Sequence, residues 1–205
     1  MYEEIQSLLD QLDSATSDAT ALAAGLSEAE AGMRMSPASW SIAQCIDHLA
    51  RTNNLYLEEM QKAAVKARER GRLRRRPARP GFFGRWFAGK IEPPIRPNFR
   101  IKAIAKLQPE ADTRLDEAFT AFIASQQMVH RFIHNVADLE LASIRYANPI
   151  VKGMNFSLAS GLHIVLAHER RHLWQAWAVR NAIKPMSSPS ASTQLSSVSE
   201  GAVTI

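Results

Sequence analysis

The feature that most constrains this 205-residue chain is apolar residues recurring at steps of three and four. Near the start, Ile5, Leu8, Leu9, Leu12, Ala15, Ala19 and Leu22 would share one side of a helix turning about every 3.6 residues. A second stripe runs Ile42, Ile46, Leu49, Tyr56, Leu57 and Met60. A third runs Leu115, Phe119, Phe122, Val129, Ile133 and Val136, starting after Pro109. The fourth, over 157–183, aligns Leu158, Leu162, Val165, Ala176, Val179 and Ile183. A helix with one apolar stripe buries it against another such helix, so the pattern predicts an all-α four-helix bundle over residues 1–184. Gly25 ends the first helix, Ser27 with Glu30 offers a capping box for a short following turn, and Ser41 with Gln44 offers another for the second helix. No internal repeat and no strand pattern is visible.

Residues 71–109 depart from this pattern. They hold Pro77, Pro80, Pro93, Pro94, Pro97 and Pro109 with Gly71, Gly81, Gly84 and Gly89, which predicts a long non-helical connection between helices two and three, its inserted loop spanning 72–109. Charge is concentrated there too. Residues 62–106 carry 15 of the 25 Lys and Arg against only Glu69 and Glu92, a local balance of +13 in a chain of net charge +5. The stretch 72-RLRRRPARPGFFGRWFAGK-90 mixes arginines with Phe82, Phe83, Trp86 and Phe87. Such a mixture suits a nucleic-acid surface, an anionic membrane face, or a crossover whose aromatics cap the bundle while its arginines stay solvated.

The remaining segments narrow the setting. Residues 185–205 are Ser-rich and are expected to form a disordered tail. The acidic start MYEEIQSLLDQLD lacks a basic-then-apolar leader, and no apolar run approaches the roughly 20 residues of a membrane span. Cys45, alone, permits neither an internal disulfide nor a Cys-rich metal site. These features suggest a cytoplasmic, bacterial-type protein; a homodimer stays open.

Chemistry concentrates in 166-LAHERRHLWQAW-177, where His168-Glu169-Arg170-Arg171-His172 spells the H-E-x-x-H of zinc proteases. His168 and His172 fall on the stripe of Val165, Ala176 and Val179, whereas His163, Arg170 and Trp174 fall opposite. Two histidines one turn apart can chelate one metal from a helix face, or simply be satisfied core residues. The protease reading needs a third ligand downstream, yet after His172 there is no His or Asp and the one acid is Glu200. The extended protease pattern fails as well, with Gln175 and Ala178 at its last two diagnostic places. A third ligand must lie upstream, or there is no site. His130 and His134 repeat the spacing beside the third stripe, but no third ligand suggests itself, and they read as boundary residues.

Upstream, 40-WSIAQCIDHL-49 supplies Trp40, Ser41, Gln44, His48 and Leu49, and the last helix supplies His168, His172 and Gln175. In their order and spacing these residues resemble the DinB/YfiT-like metalloenzyme superfamily, over about residues 1–184, and Asn148-Pro149 resembles that family's connecting piece. The resemblance implies a four-helix bundle in which three histidines, by position His48, His168 and His172, bind one divalent metal. By periodicity alone His48 lies on the flank of its stripe. Zinc, nickel and iron all accept imidazole, so the sequence does not choose among them. The family also implies a small-molecule substrate and, in characterised relatives, transfer or isomerisation dependent on a low-molecular-weight thiol; water activation for hydrolysis suits the same centre. Glu169 then reads as a proton acceptor or as a partner orienting a ligand histidine, and equally as an acid at the rim; Gln175 reads as orienting a ligand or lining the pocket. Asp47 faces solvent on this reading. A long connection is usual in the family at this place, which favours a loop or lid for 72–109 over nucleic-acid or membrane contact through 72–90. The rival is a non-catalytic metal- or ligand-binding bundle.

Overall fold

The first stripe forms α1 (Glu3–Ala23), with every apolar residue of that stripe buried. In this computed structural model residues 2–94, 104–151 and 153–183 are described. Gly25 turns the chain at φ +71°, in the left-handed region that side chains rarely adopt. The capping box at Ser27 opens α2 (Glu28–Gly32), with the Ser27 N–H donating to the Glu30 carboxylate at 2.9 Å. A second box at Ser41 and Gln44 opens α3 (Ile42–Glu69). The Glu28 carboxylate accepts the N–H groups of Leu115 and Asp116 at 2.8 and 3.1 Å. Those donors have no partner inside their own helix, so this cap fixes the start of α5 (Leu115–Asn135) at Leu115 and not directly after Pro109.

The fourth stripe forms α6 (Leu158–Ile183). Both α1 and α3 pack against both α5 and α6, so the four stripes close on a common interior. Leu49, Phe122, Ile133 and Leu162 are fully buried there.

Two expectations are corrected. The chain does contain strands: β1 (Arg145–Ala147) and β2 (Asn155–Ser157) pair antiparallel, with Tyr146 opposite Phe156 and both rings buried. Three residues are too few for alternation to register in a sequence. The Asn148 side chain organises the connection by accepting the N–H groups of Ile150 and Val151, both at 2.8 Å. The basic connection is also not free of helix, since it contains α4 (Phe82–Ile91) and a 3-10 turn at Ala105–Leu107. Gly84, Phe87, Ala88 and Ile91 recur at helical spacing and form the inner face of α4, which packs on α6. Gly84 permits the approach, because a Cβ there would lie 2.2 Å from the Ser160 hydroxyl.

Nor are all the arginines solvated. Arg74 is partly buried, pairs with Glu4 and covers the Tyr2 ring at 3.7 Å, whereas Arg76 meets Glu140 at 2.7 Å but stays exposed. Residues 95–103 of the connection and the Ser-rich 185–205 lie outside the described residues. No helix among the described residues is long and apolar enough to cross a membrane.

Gly161 sets a second close contact, inside the core. A Cβ there would meet the Tyr146 ring and hydroxyl at 2.7 Å and the Met60 sulfur at 2.8 Å. Gly161→Val is therefore expected to overpack this point and cost about 3 kcal/mol. In thermal unfolding that appears as a fall in Tm of roughly 5–10 °C, and an unchanged Tm would contradict the contact.

Candidate metal centre

Because α3 lies against α6, His48 meets the pair His168 and His172 although 120 residues separate His48 from His168. One nitrogen from each of the three rings can be chosen so that all lie within 4.8 Å of one another. His48 Nε2 and His168 Nε2 are 3.2 Å apart. His48 is buried and not merely on the flank of its stripe; of the three, His168 alone keeps partial exposure. The far end of the basic connection completes the arrangement. His48 Nδ1–H donates to the Leu107 carbonyl at 2.7 Å. A carbonyl only accepts, so the ring proton of His48 sits on Nδ1 and Nε2 presents a lone pair toward the other two rings.

The electrostatics hold these rings neutral. Burial lowers the His48 pKa below the usual histidine range. His168 and His172 are driven well below it, by burial first and then by neighbouring histidines of the set. The Gln175 side chain, the smallest influence on His172, pulls it the other way. Nδ1 of His168 and of His172 are buried with no hydrogen-bond partner among the described residues. Trp40, just ahead of α3, walls the cluster, with ring centroids 4.6 Å from His48 and 5.5 Å, nearly parallel, from His172.

Neutral imidazoles with uncommitted nitrogens are the donor set a divalent transition metal accepts. Tetrahedral bonds of about 2.0–2.1 Å place ligand nitrogens about 3.4 Å apart, so these rings fit such an ion after shifts on the order of an ångström. Two clefts lie elsewhere. A cleft of about 690 Å³ between α3 and α5, lined by Val65, Arg68, Met128 and Arg131 among others, and one of about 300 Å³ beside Thr16 and His130, contain none of the three histidines. Converging donors and not volume single out the histidines as a candidate site, because a metal site needs ligands and not a large void.

Glu169 is fully buried, one residue from His168, but does not join the group of three histidines. Oε1 accepts from Asn53 at 2.8 Å and Oε2 from Gln126 at 3.4 Å. Burial pushes its carboxyl up to about 7, against the two amides, which favour the charged form. Asp47 is partly buried and holds Arg51 at 2.6 Å. His130 and His134 lie 4.7 Å apart between centroids with their rings tilted, His134 is exposed, and neither joins the cluster.

Sequence reasoning assigned no role to Asn53, Gln126, the Leu107 carbonyl or the Trp40 ring. Gln126 carried a signal, since it is a polar residue at helical spacing between Phe122 and Val129 on the third stripe. Leu107 carried none, because a backbone carbonyl has no residue type to read.

A family model described as the DinB superfamily matches residues 11–176. No curated protein and no solved structure matches the chain. That match covers most of the chain's length, so the chain belongs to the DinB superfamily.

Proposed function

We propose that this chain is a metal-dependent enzyme built as a four-helix bundle, in which His48, His168 and His172 hold one divalent cation and leave at least one coordination position open to a small-molecule substrate. The observation that carries this reading is the convergence of three neutral imidazoles within 4.8 Å. A divalent cation held there would supply Lewis acidity, favouring the conjugate base of a thiol or a water for transfer, isomerisation or hydrolysis. The chain's own residues prepare for this. Leu107 fixes the His48 tautomer, and Trp40 limits the swing of His48 and His172. Glu169 acts as a positioning residue: through Asn53 on α3 and Gln126 on α5 it fixes the rotation of α6, and with it the direction of His168 and His172. Zinc, nickel and iron all suit the set.

Metal analysis of the purified protein tests the site. Wild type is expected to carry roughly one metal ion per chain, and His168→Ala/His172→Ala less than about a tenth of that. Equal content in both proteins would remove the centre and leave the bundle a scaffold without it.

A further inference from the structure

We infer that α4 is a docking element for an anionic lipid bilayer. Its inner face, Gly84, Phe87, Ala88 and Ile91, is committed to the core. The opposite face should then be polar, as on an ordinary surface helix. It is not. At about 100° per residue Phe82 and Trp86 occupy its centre, flanked by Arg85 and Lys90. Phe82 is 79% exposed, Trp86 48% and the adjoining Phe83 47%. Three large rings exposed together on a ten-residue helix are more than the scattered apolar residues of an ordinary surface.

Charge indicates what covers them. Arg79 and Arg85 are exposed and have no acidic partner among the described residues. Glu92, the acid nearest α4 in sequence, is taken up by Arg170. The chain from Pro93 to Lys106 contains no acid at all. Aromatic rings flanked by uncompensated cations match an anionic headgroup layer, where rings settle at the interface and each nearby cation adds to the attraction.

The ring geometry separates this partner from single-stranded nucleic acid, which the same composition would suit. Bases bind by stacking on open ring faces. The Phe83 ring lies between Trp86 and Phe156, nearly parallel to both, with centroids at 5.6 and 5.7 Å. Trp86 has Phe83 on one side, and the Lys90 ammonium sits 5.8 Å from its ring centre. The Phe83 and Trp86 faces are thus engaged within the protein and only the Phe82 ring is left open for a base, whereas entry into a lipid interface needs only exposed edges.

Sedimentation of the full chain with vesicles tests the inference. Binding is expected to phosphatidylcholine vesicles containing about 30% phosphatidylserine and not to pure phosphatidylcholine, and to weaken with salt. Arg85→Gln/Lys90→Gln should lower partitioning on the order of 20-fold, from the contribution of each cation near such a surface. Phe82→Ser/Trp86→Ser should lower it at least roughly tenfold. Brominated lipid should quench the wild-type tryptophan emission, and Trp86→Phe, which keeps a ring, should lose most of that quenching while still binding. Equal binding to both vesicle types would overturn the inference, as would undiminished binding by both double variants. Vesicle-independent binding of a single-stranded oligonucleotide that vanishes in Phe82→Ser/Trp86→Ser would overturn it in favour of nucleic acid.

Discussion

The metal-free protein is expected to lose stability as the pH falls below about 6.5. Burial holds His48, His163, His168 and His172 below the usual histidine range in the folded state. In the unfolded chain these rings take up protons near pH 6.5, so acidification favours unfolding from there down to each folded pKa. Glu169 opposes them. Its folded pKa of about 7 lies above the ordinary 4.5, so the folded state retains a proton that the unfolded state releases between those values. Acidification across that window therefore favours folding through this one group. His168 and His172 are held furthest below the usual range and His48 and His163 add to them, so the histidines outweigh the one carboxyl and there is a net loss between about pH 6.5 and 5.5. Urea midpoints of chelator-treated protein at the two pH values measure it directly. Glu169→Gln should steepen the acid loss, because it removes the one group that opposes it. A midpoint indifferent to pH would mean that the rings are already protonated in the fold. A bound cation should enlarge the acid loss, since protons compete with it for the same nitrogens.

What the sequence displayed and what it hid follow from which physical term decides each feature. The four long helices were visible because burial repeats along them, and Phe122 or Leu162 owes its place to periodicity alone. The boxes at Ser27 and Ser41 were visible because a cap is a local contact between residues three apart. The inner face of α4 had the right spacing, yet Gly84 and the flanking prolines read as breakers; the contact with Ser160 that makes a glycine useful there is a tertiary fact. The short β1–β2 pair was hidden by its length.

In the centre, the meeting of His48 with His168 and His172 rested on family resemblance, because periodicity placed His48 on a flank. Burial by Trp40 and the hydrogen bond to Leu107 turn that flank inward. Glu169 was ambiguous for a related reason. Its neighbour in sequence is a histidine of the cluster, but its partners in space are two amides from other helices.

Those amides give the second large effect. Asn53→Asp is expected to destabilise the protein by more than about 3 kcal/mol at pH 8, and by much less at pH 5.5, relative to wild type at each pH. Asn53 is fully buried, and its Nδ2 donates to Glu169 Oε1 at 2.8 Å, Ser125 Oγ at 3.1 Å and Gln126 Oε1 at 3.3 Å. Aspartate has nearly the same shape but puts an acceptor where the donor stood. Two carboxyl groups would then face each other away from water, and they cannot both ionise without a large penalty. At pH 5.5 one proton shared between them restores a hydrogen bond and removes most of the repulsion. Asn53→Ala separates charge from the lost contacts, since it withdraws the donors without adding an acid and should cost about 1–3 kcal/mol with no comparable pH dependence. An equal loss for Asn53→Asp at both pH values would show that Glu169 is not its partner. If the same amide fixes the rotation of α6 as proposed, Asn53→Asp should also lower metal content at pH 8 on the order of tenfold or more, although the hydrogen bonds of Asn53 run to Ser125, Gln126 and Glu169 and not to the three histidines proposed to hold the cation.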